Sequence, residues 1–268
     1  MLTRYSQIVK ISILQEVAYK TSFVMWRVRN VLQIIFVFYL WSAVFQSDDS
    51  RAFGYNQSQM LTYVFGIMIV RAFVLSAKSV EVGGEISRGD LSNYLVKPIS
   101  YFKYWATRDV ASKVLNLSFA VLEFAVLFVL LRPPFFIQTN PMYLLAFGVS
   151  LGIAAIIYFI LLFITGTVPF WAPEAAWGSN FLVNIVFVEF MSGVLFPLDV
   201  FPVAFQKILY LLPFPYMIFF PIKIYLGQVG VLEIMTRIII SAVWTLVLYL
   251  LFKFLWKKGL TKYEAYGR

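Results

Sequence analysis

Three ionisable residues lie inside long apolar runs: Arg71, Glu123 and Glu189. Charged groups are costly at membrane depth, and where they occur they mark ion pathways, proton relays or polar contacts between helices. Arg71 falls about two turns from the inner end of its run and the glutamates about eight residues from the outer ends of theirs, at about 1.5 Å per residue. The two glutamates then share a depth, Arg71 sits nearer the opposite face, and a direct pair between Arg71 and either glutamate is not expected. Arg71 would snorkel inward. The glutamates would face a cavity, bond a neighbouring helix or stay protonated, with structural roles favoured. An ion-coupled secondary carrier using these carboxylates is the alternative reading they support.

Other chemistry is scarce. The chain has no His and no Cys, which removes disulfides, thiol chemistry, the commonest metal ligand and the usual acid–base group. No metal site and no catalytic residue is expected. There is no G-x-x-x-x-G-K-[ST] run, and Gly83, Gly84 and Gly89 lack the following Lys-Ser/Thr that would cradle nucleotide phosphates. Neither H-E-x-x-H nor G-x-S-x-G occurs. A membrane enzyme is therefore disfavoured, and any ATP-driven transport would need a separate ATPase subunit.

The elements that position these groups follow from composition. Of 268 residues 61% are hydrophobic and only 13% charged, against about 45–50% and about 25% in soluble domains. The bilayer must serve as solvent, and runs such as Val114–Leu131, Tyr143–Ile164 and Ile238–Leu251 suit spans of roughly 20 apolar residues. Hydropathy predicts six transmembrane helices: Val31–Phe45, Ser58–Ala77, Val110–Leu131, Pro141–Ile164, Asn180–Phe196 and Leu232–Trp256. A basic segment over residues 1–29 reads as an interfacial helix or as a basic lead-in to the first span, and that span would act as the insertion signal in place of a cleavable one. Lys and Arg gather at both termini and in the loop over residues 78–109, so both termini are expected in the cytoplasm. The net charge of +9 follows from those loops, and nucleic-acid binding is not expected. Trp26, Trp105 and Trp256 fall near predicted inner boundaries, where aromatic anchors belong.

Two segments do not read as passive loops. In Glu81–Lys103, Leu91, Tyr94 and Leu95 follow helical spacing, Pro98 limits the run, and Gly83, Gly84 and Gly89 allow tight turns before it. A short apolar face on a cytoplasmic loop suits docking of a soluble partner or contact with lipid headgroups. In Phe190–Gly227, prolines at 197, 202, 213, 215 and 221 break a stretch too apolar for an aqueous loop. Irregular backbone at membrane depth must be covered by protein or line a cavity, so residues 197–227 read as a re-entrant external segment, with one short helix at Val203–Leu212.

Together these segments resemble the membrane subunits of ABC-2-type (type V) ABC transporters over essentially the whole chain. The cytoplasmic loop resembles their G-x-I-x-x-G-x-L…P pattern at Gly84, Ile86, Gly89, Leu91 and Pro98. The outer segment resembles their S-G…F-P-L-x-x-F-P…Q…P pattern at Ser192, Gly193, Phe196, Pro197, Leu198, Phe201, Pro202, Gln206 and Pro213. The resemblance implies a coupling helix around Gly84, Glu85, Ile86, Gly89, Leu91, Leu95 and Pro98 that docks on an ATPase. It implies an external gate around Gly193, Phe196, Pro197, Phe201 and Pro202, and a smaller cytoplasmic contact at Thr165–Gly178. The chain would be a single transmembrane domain, a half-transporter in a cell membrane of bacterial type. It would pair with a second, identical or related permease and with ATPase subunits that hold ATP and Mg, and it carries no cofactor of its own. Carbohydrate-binding features found in polysaccharide exporters of the family are not identifiable, so the resemblance names no substrate.

Overall fold

A computed structural model describes the backbone at residues 2–18, 20–45 and 51–263; the side chains of 2–5, 16–18, 20–23 and 26 lie outside that description. The anchor expected at Trp26 and most of the polar loop expected after residue 45 therefore fall outside the described residues. What is described is helical, and its single β-bridge, Ala52 to Tyr55, closes a tight turn. Phe53 and Gly54 at the tip both have positive φ, 55° and 85°, as a type I′ turn requires.

Among the described residues, five helices are long and apolar enough to cross a membrane. They are α2 (Lys20–Val44), α3 (Gln57–Val74), α6 (Tyr101–Leu131), α7 (Pro141–Gly166) and α12 (Val231–Leu260). The expected span at Asn180–Phe196 is not among them. In its place α8 (Ala176–Phe181), a π-helical stretch (Leu182–Val188) and α9 (Glu189–Met191) run without a break, short of the roughly 17–25 residues usual for a span. The N-terminal helix α1 (Leu2–Ala18) ends well before residue 29 and packs on α6. α6 starts at Tyr101, so residues 101–109, expected in a loop, lengthen a helix instead.

Local chemistry sets these boundaries. Asn56 caps α3 in a reciprocal capping box with Gln59. Asn140 accepts from the Met142 N–H at the head of α7, where Pro141 loses no bond at the first turn. α6 stops at Arg132, left-handed at φ 43°, because Pro133 and Pro134 cannot continue the helix.

α3 and α7 form the centre of the bundle. Their apolar windows are 56% and 50% buried, against 11–17% for α2, α6 and α12, whose outer faces are left for lipid. At one end, aromatic side chains bind α6, α7 and α12: Phe102 stacks on Phe252, Tyr101 on Trp256, and Phe163 lies among them. Trp105, expected as an interfacial anchor, is fully buried there under the Arg108 guanidinium, 4.6 Å above its ring. At the opposite end, α10 (Val203–Leu209) packs on the turn at Leu198–Val200 and α11 (Phe219–Tyr225) folds back against α3 and α7, with Tyr216 to Phe220 buried. The short helix expected to reach Leu212 ends at Leu209.

Candidate functional site

The link from α3 to α6 is an elbow held from below by α6. Lys113 Nζ donates to the Val74 and Ser76 carbonyls at 3.1 and 2.8 Å, satisfying the end of α3. One turn earlier on the same face, the buried Asp109 accepts from the Lys78 and Ser79 N–H groups (2.7 and 2.9 Å) and from the Ser79 hydroxyl (2.8 Å). Positive and negative side chains thus close the two backbone ends that flank the bend, each matched to the local dipole.

From there α4 (Val82–Ser87) lies on the base of α7. The two helices meet at glycines: a Cβ on Gly166 would sit 2.8 Å from Val82 Cγ1, and one on Gly83 would touch Gly166 Cα. Gly89, at φ 79°, turns the chain into α5 (Ser92–Leu95). Glu85 is buried behind this turn and accepts from the Tyr94 and Tyr101 hydroxyls at 3.2 and 2.8 Å. Burial raises its carboxyl above the usual range, and those two donors and Arg108 oppose the shift.

Leu91, Tyr94 and Leu95 do not share one outward face, which corrects the helical-wheel expectation. Leu91 is 0% exposed and Ile86 is buried beside it, whereas Leu95 and Val96 are 52% and 85% exposed. The helical spacing itself holds, since the Leu95 N–H donates to the Leu91 carbonyl at 3.2 Å, but α5 is a single turn: Leu91 at its start is covered by the fold while Leu95 at its end is open. Gly84 abuts Arg88, and Pro98 lies exposed beyond the tip.

Between α2, α3, α6 and α8–α9 lies a cavity of about 510 Å³. Arg71 pairs with Glu189 at 2.5 Å and also donates to Gln33 at 3.3 Å. The expectation that these charges lie too far apart to meet is thus overturned. Glu123 is paired as well, with Arg27 at 3.5 Å, and Arg27 also bonds Asn116. Asn30, Tyr158 and Asn184 add polar groups, Tyr158 donating to Asn184 at 2.8 Å. Ile34, Val37, Val64, Ile67 and Met68 supply apolar wall.

Over the far end, the Tyr55 hydroxyl donates to Asp199 at 2.7 Å and Lys223 pairs with the same carboxylate at 3.0 Å. Tyr63 donates to the Gly193 carbonyl at 2.7 Å, and the Phe219 N–H to the Ser192 carbonyl at 2.9 Å. Phe196 and Phe201 meet edge to face at 5.4 Å, Pro197 is buried and Pro202 exposed.

The model of the ABC-2 family transporter proteins matches residues 31–267. The chain belongs to that family. No curated protein matches it. It is a multi-pass membrane protein and an ABC transporter permease.

Within the permease, motif residues and unforeseen ones share the work. Asp109, Lys113, Arg27 and the Asp199–Lys223 pair escaped the sequence reading. The i, i+4 spacing of Asp109 and Lys113 was the available signal, since it puts both on one helix face. Gly193 is the motif residue with least freedom: its φ is 87°, and a Cβ would lie 2.7 Å from the Tyr63 hydroxyl and 3.0 Å from Phe219 Cβ. Gly193→Ala is expected to cost about 2–4 kcal/mol, combining left-handed backbone strain with overpacking. Unfolding of the purified permease in a non-ionic detergent checks this, and an unchanged midpoint would refute it.

Proposed function

We propose that the chain is the transmembrane subunit of an ATP-driven ABC exporter, working as two permeases with two ATPase subunits that bind ATP and Mg. The elbow carries this reading. Leu95 and Val96 present apolar side chains on a tip whose base is tied to α6 through Asp109 and to α7 through Gly83 and Gly166. Force applied at such a tip passes into the helices rather than into a loop. In this arrangement both termini and the elbow face the cytoplasm of a bacterial cell membrane, and Ala176–Met191 with the residues after it completes a sixth crossing. Residues 197–227 form the re-entrant external gate. The permease itself performs no catalysis.

Leu95→Asp with Val96→Asp is expected to abolish co-purification of the ATPase while leaving insertion and thermal stability within about 0.5 kcal/mol, as for exposed sites. Leu91→Asp should instead prevent folding, because it buries an unpaired charge. Undiminished ATPase capture by the tip variant would overturn the docking assignment. The ion-coupled carrier is not favoured, since Glu123 and Glu189 are both engaged by arginines. Vesicle transport that follows a proton or sodium gradient without ATP would reverse that preference.

A further inference from the structure

The membrane cavity has a composition that selects among ligands. Its lining holds Arg27, Arg71 and Lys78 against Glu81, Glu123 and Glu189, so its formal charge sums to zero. Two Arg–Glu pairs stand in it, on different helix pairs: α2 to α6 and α3 to α9. The side chains of Arg71 and Glu189 are only 15% and 20% exposed. Asn30 also lines the cavity, and its buried Oδ1 accepts no hydrogen bond. Apolar side chains of α2 and α3 line the wall toward the end covered by α10 and α11. At about 510 Å³ the cavity falls in the size range of small-molecule sites, about 300–1,000 Å³.

We propose that this cavity binds a zwitterionic amphiphile, whose anionic and cationic groups exchange with an Arg–Glu pair and whose chain lies along Ile34, Val37, Val64 and Ile67. The inference rests on the permease reading and names the ligand class of its membrane cavity. Charge balance decides the class. A lone anion drawn to Arg71 would displace Glu189 and leave its mostly covered carboxylate with only the weaker charge of Arg29. A lone cation drawn to Glu189 would strand Arg71 in the same way. A zwitterion replaces one pair by two, leaving no charge uncompensated. Asn30 Oδ1 is placed to accept from the ligand's own N–H or O–H donor, or from a water it carries.

The test is native mass spectrometry of the full chain in maltoside, with dodecylphosphocholine, dodecyltrimethylammonium and dodecyl sulfate as probes of equal chain length. The expected result is retention of the zwitterion at least tenfold above either singly charged probe. Arg71→Met with Glu189→Met, which removes the pair while keeping the packing, should bring the three within twofold. Asn30→Ala, which touches neither pair, should lower zwitterion retention severalfold when the probe bears an N–H donor, as dodecylphosphoethanolamine does. Equal retention of all probes by the wild type, or a preference that survives the double variant, overturns the proposal. Displacement of bound dodecylphosphocholine by excess phosphatidylcholine nanodiscs would mark a bilayer lipid as the source, and persistence would mark a single-chain cargo; both are the proposed chemistry. No ATPase is needed for any arm, so failure of the docking assignment leaves this result readable.

Discussion

Arg71→Leu is expected to destabilise the permease by about 3 kcal/mol, because it strips the mostly covered Glu189 of its nearest counter-charge. Arg71 gives Glu189 an ion pair at 2.5 Å, and Arg29 adds a weaker charge nearby. Glu189→Leu should cost less: Arg71 keeps Gln33 as a partner, and its long stem can carry the guanidinium toward water. The double variant, Arg71→Leu with Glu189→Leu, is expected to recover to within about 1 kcal/mol of the wild type or better, since an apolar replacement for a buried pair is often neutral or stabilising. Unfolding midpoints of the four proteins close a double-mutant cycle. Additive losses would show that the two side chains do not depend on each other.

That pair also shows what the sequence could and could not reveal. Composition and hydropathy were enough for a helical membrane bundle, because no soluble core can bury so much apolar surface. Arg71 and Glu189 meet, against the depths expected of them, because those depths hold only for straight α-helices whose ends share two membrane planes. The fifth apolar run instead stops at Met191 and contains seven π-helical residues, Leu182–Val188, directly before Glu189. Each i→i+5 turn takes up an extra residue, so the side chains beyond it rotate to a face that 3.6-residue periodicity does not anticipate. Leu91 was misplaced for another reason: spacing gives the relative faces of Leu91 and Leu95 on α5, but not that the fold covers the start of so short a turn and leaves its end open. Turn chemistry was visible in Gly89 and in the proline-broken segment after Phe196. The pairing of distant groups such as Arg27 with Glu123 was not, because it depends on how helices pack.

Asp109→Leu is expected to release the elbow from the helix bundle. One carboxylate closes three hydrogen bonds at the entrance to the elbow, two of them from backbone N–H groups. Each buried donor left unsatisfied costs about 1–3 kcal/mol, and with a shared acceptor the expected loss is about 3 kcal/mol. The loss is local, since α6 itself keeps its ladder and its packing on α1 and α3. Arg88 is exposed on the elbow and is followed by Gly89, so trypsin cleavage there reports its opening directly. Where cleavage follows the open population, about 3 kcal/mol corresponds to cleavage about 100-fold faster. Asp109→Asn, which keeps one carbonyl acceptor for the backbone, should accelerate it only about tenfold. If the elbow transmits the ATPase stroke, the leucine variant also hydrolyses ATP without transport. Cleavage within twofold of the wild type would mean that α4's seat on Gly166, rather than the Asp109 clasp, holds the elbow in place.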